Sequence, residues 1–91
     1  MAKMFITLKI MPESPDADFV ALRNEIKKIA EKHSGELLDR DSYEPVAFGL
    51  KALKVIIYID ESKGSEEISE EVGALEGVSS SSVIDMRRAV G

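Results

Sequence analysis

Few side chains in this 91-residue chain could make or break bonds. There is no cysteine, which removes disulfides, thiolate nucleophiles and Cys-based zinc sites together. The one histidine, His33, falls at the end of a helical pattern. A partner for the negative helix terminus, or a plain surface residue, accounts for it there. With His33 so placed, no serine gains a His–carboxylate pairing. Glu66, Glu67, Glu70 and Glu71 could suggest a cation, but helical carboxylates at this spacing need oxygen ligands from elsewhere. Gly49 and Gly64 stand alone, so no phosphate-cradling loop is evident. Conventional catalysis, a metal and a cofactor are not expected.

Two places remain where residue type and position suggest contact with a partner. Phe48 sits beside Gly49 in Glu44-Pro45-Val46-Ala47-Phe48-Gly49-Leu50. It either enters the core where the loop rejoins a strand or anchors into another protein, as aromatic hot spots do. Arg87 and Arg88 close the run Val83-Ile84-Asp85-Met86-Arg87-Arg88. They form either a solvated terminus or a basic tip that a rigid strand delivers to an anionic site.

The elements that would position these residues follow from periodicity. Met4, Ile6, Leu8 and Ile10 alternate as a strand with one buried face. Pro12 and Pro15 stop it, and Ser14 or Asp16 is expected to cap the helix that follows. Phe19, Leu22, Ile26, Ile29 and Ala30 stripe that helix, and the left-handed cap at its end is expected at Gly35. Leu37 to about Tyr43 reads as a second strand suited to an edge by Asp39, Arg40 and Asp41. Leu53, Val55, Ile57 and Ile59 define a third. Ser65 is expected to cap a second helix striped by Ile68, Val72 and Leu75 and closed by Gly77. Val78 to Arg87 is the last strand.

The order is therefore β-α-β-β-α-β. Right-handed crossovers then place two helices on one face of a four-stranded antiparallel sheet, the α+β ferredoxin-like sandwich. One domain over residues 1–91 is expected from the length. No apolar run approaches the roughly 20 residues of a membrane helix, and the first residues alternate like a strand rather than a signal peptide. A cytoplasmic address is expected.

Net charge is −5, which argues against generic nucleic-acid binding. The charge is uneven: Arg23, Lys27, Lys28 and Lys32 make the first helix basic, while Glu66, Glu67, Glu70, Glu71 and Glu76 make the second acidic. Two solvated faces or a partner-orienting dipole would both fit. The fold also carries RNA-recognition motifs, and Phe5 and Tyr58 could stack bases on the open sheet. The glycine-aromatic signature of those motifs is missing. A small-molecule regulatory domain is a further alternative.

The run Ala47-Phe48-Gly49-Leu50-Lys51-Ala52-Leu53, with Lys3-Met4-Phe5-Ile6, Met11-Pro12 and the ending Val83–Arg88, resembles the archaeal type of the translation elongation factor 1-beta family. Those proteins are nucleotide exchange factors of the GTPase that carries aminoacyl-tRNA. The resemblance implies the same ferredoxin-like fold, an elongation factor 1-alpha type partner, and no direct contact with nucleic acid or membrane. It implies that Phe48, presented by Gly49, packs on the GTPase. It also implies that a basic residue at the end of the last strand enters the Mg²⁺ and phosphate region. That residue falls at Arg88, with Arg87 the competitor aimed the other way by strand alternation. The family commonly has lysine near its very end, whereas arginine stands here with Ala89-Val90-Gly91 after it. Arginine is broader and planar, so the exchange is not neutral at a tight site.

Overall fold

The computed structural model describes residues 3–46, 49–62 and 64–89. Strand β1 (Lys3–Pro12) alternates half-buried and buried residues along its whole length, as its apolar spacing requires. It pairs antiparallel with β4 (Lys51–Asp60) on one side and with β5 (Val78–Arg88) on the other. Helix α1 (Phe19–Lys32) and helix α2 (Ser65–Gly73) cover one face. Their Leu22, Ile26, Ala30, Ile68 and Val72 join Ile6, Leu8, Ile10, Leu53, Val55, Ile57 and Ile59 in one buried cluster.

The far edge of β4 carries β2 (Glu36–Leu37) and β3 (Ser42–Pro45), so the sheet has five strands rather than four. The single second strand expected over Leu37–Tyr43 is broken in its middle. Leu37 lies opposite Ile57 and Ser42 opposite Lys54, so the edge takes five steps where β4 takes three. The break has a physical cause in Arg23. Its Nη2 donates to Leu38 O at 3.2 Å and to Asp39 Oδ1 at 2.7 Å, and its Nε donates to Asp41 Oδ2 at 2.5 Å. One guanidinium thus gathers the bulged segment against α1. The β-α-β-β-α-β plan survives, with its second strand in two pieces.

The caps differ from expectation in instructive ways. Asp18, not Ser14 or Asp16, caps α1, its Oδ1 accepting from Ala21 N at 3.1 Å. Ser14 instead accepts from Asp16 N, making a turn that delays the helix. Helix α2 starts at Ser65 behind an N-cap at Gly64 that makes no side-chain bond. It ends at Gly73, with Gly77 (φ +87°) in the turn before β5. His33 is the C-cap residue of α1, and its Nε2 meets Glu71 Oε2 on α2. Lys32 Nζ donates to Glu71 Oε1 at 2.7 Å, so Glu71 bridges the helices instead of lying on a solvated face. Hydrogen bonds from Lys32 and then His33 hold the Glu71 carboxyl below its usual range.

At the end of α1 the left-handed residue is Ser34 (φ 63°), while Gly35 does something else. A Cβ on Gly35 would meet Ala30 O and Ile59 Cδ1 at 3.2 Å and Ile57 Cγ2 at 3.3 Å. Glycine is there for close approach of helix end to sheet. Substitutions at the two neighbours should therefore move stability in opposite directions. Ser34→Gly relieves a left-handed cost of about 1–2 kcal/mol, less the extra entropy glycine gives the unfolded chain, and should stabilise by about 0.5–1 kcal/mol. Gly35→Ala overpacks the contact and should destabilise by about 1–3 kcal/mol. Urea melts of the two variants test this, and a Gly35→Ala protein as stable as wild type would refute the tight contact.

Candidate functional site

The end of β5 is shaped by an irregularity. Leu8 pairs with Val83 and Thr7 with Asp85, which leaves Ile84 as an extra, bulged residue. Beyond it Phe5 faces Arg87 and Met4 faces Arg88. Met4 belongs to the core, so Arg88 lies on the helix side of the sheet while Arg87 lies on the open side. Counting alternation from half-buried Val83 without the bulge would have assigned the two arginines the other way. The signal for the slip was present as adjacent apolar residues, Val83-Ile84, inside an otherwise alternating run.

The backbone holds both arginines firmly. Ala89 N donates to Lys3 O at 2.8 Å, continuing the ladder past Arg88. Each side chain has its own carboxylate. Arg87 Nε donates to Asp85 Oδ2 at 3.0 Å along its own strand. Arg88 reaches across to the end of β4, donating from Nε to Glu61 Oε2 at 3.1 Å, with its Nη2 in ion-pair contact with the same oxygen at 3.0 Å. Their side chains stay 80% and 72% exposed, so both pairs are too solvated to add much stability and both cations remain accessible.

The loop expected to carry the second contact joins β4 at the opposite end of the sheet. Phe48 and Ala47 fall outside the described residues. Gly49 is exposed with φ +74°, a conformation glycine adopts without steric cost, and Val46 N donates to Leu50 O at 2.8 Å to close the loop. Strand β4 begins at Lys51, whereas Arg88 lies level with Met4 and hence with Ile59. Eight strand residues at about 3.3 Å each separate the loop from the arginine by about 26 Å. Gly49 and Arg88 therefore stand near opposite ends of the sheet.

The open face between them carries the aromatic pair noted in the sequence. Phe5 and Tyr58 have ring centroids 5.0 Å apart, and the Lys3 ammonium lies 5.9 Å from the centre of the Tyr58 ring. A depression of roughly 590 Å³ beside them is lined by Thr7, Ile56, Leu38 and Arg87. Charge on this face is balanced. Lys9 (3.1 Å) and Lys54 (3.6 Å) both meet Glu44, and the hydrogen bond from Lys9, then the charge of Lys54, holds the Glu44 carboxyl below its usual range. Among the described residues, no three His, Asp or Glu side chains converge to hold a metal ion. No described helix is long and apolar enough to cross a membrane.

Residues 5–89 match the family model described as EF-1 guanine nucleotide exchange domain. The chain belongs to that family. Full-length relatives agree. The chain is 42% identical over 89 residues to elongation factor 1-beta of Methanothermobacter thermautotrophicus, covering 97% of this chain and 98% of that protein. It is 43% identical to elongation factor 1-beta of Methanobrevibacter smithii over 97% and 98% of the two chains. With the same-named protein of Sulfolobus acidocaldarius the identity is 36%, over 93% of this chain and 94% of the other. As a member of the EF-1 exchange family the chain functions in guanine nucleotide exchange in translation elongation.

Proposed function

We propose that this chain is a single exchange domain over residues 1–91 that releases GDP from the aminoacyl-tRNA-carrying GTPase of the elongation factor 1-alpha type and lets GTP load. It acts in the cytoplasm with no chemistry of its own, and binds neither nucleic acid nor membrane directly. The observation that carries this reading is the placement of Arg88. An exposed cation stands on a hydrogen-bonded strand end, on a defined side of the sheet. A GTPase holds its nucleotide through Mg²⁺ and the phosphate-loop backbone. Because linkage is reciprocal, a factor that loosens nucleotide must itself bind better to the nucleotide-free GTPase. Each tenfold of loosening needs about 1.4 kcal/mol of such differential binding. Mg²⁺ demands near-octahedral oxygen geometry, so a guanidinium pushed among its ligands dislodges it. Arg88 supplies that cation, with Arg87 beside it at the contact, and Phe48, presented by Gly49, anchors the other end.

Accelerated release of a fluorescent GDP analogue from the GTPase in the presence of catalytic amounts of this protein tests the activity. No acceleration would end the reading. The Phe5–Tyr58 pair is the one feature that favours an RNA-binding module, and retention of single-stranded RNA at low salt would reveal it. The anchor has its own test. An aromatic hot spot is worth at least about 2 kcal/mol of binding, so Phe48→Ala should weaken exchange about thirtyfold at limiting factor while the melting temperature barely moves. A large melting loss with a proportionate loss of activity would return Phe48 to the core.

A further inference from the structure

We propose that Glu61 is a positioning residue for Arg88, holding its guanidinium extended towards the partner; this rests on the exchange reading of Arg88 above. The backbone of Arg88 is already fixed by the ladder, with Met4 opposite and Ala89 bonded to Lys3. What the ladder leaves loose is the long side chain, which on a bare strand end would spread over many rotamers. Glu61 is the group that restricts it, and Glu61 is itself built in. It follows Asp60, whose Oδ1 accepts from Ser62 N at 2.9 Å and from Ser62 Oγ at 2.7 Å. These bonds draw the Asp60 carboxyl below its usual range and brace the turn that carries Glu61.

The contact geometry separates positioning from masking. One carboxylate oxygen, Oε2, accepts from Nε and lies 3.0 Å from Nη2, so Glu61 sits against one edge of the guanidinium. A guanidinium has five N–H groups in a rigid fork. Among the described residues, the two on Nη1, at the edge away from Glu61, make no hydrogen bond. Arg88 can thus keep Glu61 on its inner edge while its outer edge meets phosphate or Mg²⁺-ligand oxygens. Arg87 differs: its carboxylate partner, Asp85, is on the same strand two residues away. That pair holds Arg87 along the open face instead of across the strand end.

The test measures fluorescent GDP release by stopped flow across factor concentrations, for wild type, Glu61→Ala, Glu61→Gln, Arg88→Ala and the Glu61→Ala/Arg88→Ala double variant. Glu61→Ala should lower the maximal release rate about threefold to fivefold, the scale set by an exposed ion pair. Half-saturation and melting temperature should stay unchanged. Glu61→Gln keeps an acceptor oxygen for the same edge and should recover most of the rate. In the Arg88→Ala background, Glu61→Ala should have no further effect. A Glu61→Ala protein as fast as or faster than wild type, or one that slows release equally without Arg88, overturns the proposal. If Arg88→Ala itself releases at the wild-type rate, the underlying reading fails first; a slow Arg88→Ala with an unaffected Glu61→Ala refutes positioning alone.

Discussion

Arg88→Ala should slow factor-stimulated nucleotide release by about a hundredfold in saturating Mg²⁺, the scale seen when one preorganised electrostatic contact is removed. Arg87→Ala should do much less, because the register aims Arg87 at the open face beside Phe5. Docking should survive in both variants, since the Gly49 end of the molecule is untouched. Arg88→Lys should keep or improve the rate, lysine being the more compact cation. Chelating Mg²⁺ should shrink the gap between wild type and Arg88→Ala, because the ion to be displaced is then already gone. Stopped-flow release with and without chelator measures all of these. An Arg88→Ala protein as fast as wild type in Mg²⁺ would move the role to Arg87 or to the Phe48 loop.

Ile26→Ala should be the most damaging single truncation in the core. Ile26 is fully buried at the middle of α1, in the same cluster as Ile57 and Ile59. Removing its branched chain loses the transfer energy and leaves a cavity, together about 2–5 kcal/mol. A small domain has about 5–15 kcal/mol in all, so a large share of the stability goes with one side chain. Val55→Ala, equally buried on β4, should cost somewhat less because fewer atoms are removed. Denaturant melts with an unchanged slope measure both effects. Values within half a kcal/mol of wild type would show that helix and sheet do not share this core. Exchange by Ile26→Ala should fall only with its folded fraction.

Most of the architecture was legible because burial leaves a period in the chain. The run Met4–Ile10 and the run Leu53–Ile59 each read as one buried face, and they pair with each other in the sheet. The stripe through Leu22, Ile26 and Ala30 likewise found the helix face. What escaped were features set by one side chain reaching far along the chain. Arg23 gathers Leu38, Asp39 and Asp41 and so divides the edge strand, and nothing local to those three residues announces it. Glu71 joins two helices through Lys32 and His33, although its own neighbourhood looks like a solvated acidic face. At the site, the arginine pair was legible, but its facing depended on the Ile84 bulge and its counter-charge on Glu61, 27 residues earlier in the chain.

If the Gly49 loop and Arg88 both meet the GTPase, as proposed, the distance between the two ends of the sheet makes the protein a lever. With about 26 Å from the Gly49 loop to the level of Arg88, a tilt of only about 2° about the loop end swings the guanidinium by roughly 1 Å. A misplacement of that size can cost about a hundredfold in a reaction that depends on geometry. The stiffness between the ends therefore matters as much as either contact. The hydrogen-bonded ribbon of β1, β4 and β5 runs nearly the whole length and supplies that stiffness. Substitutions midway, at Thr7 or Ile56, touch neither end, yet by changing the twist they would change the angle at which Arg88 arrives.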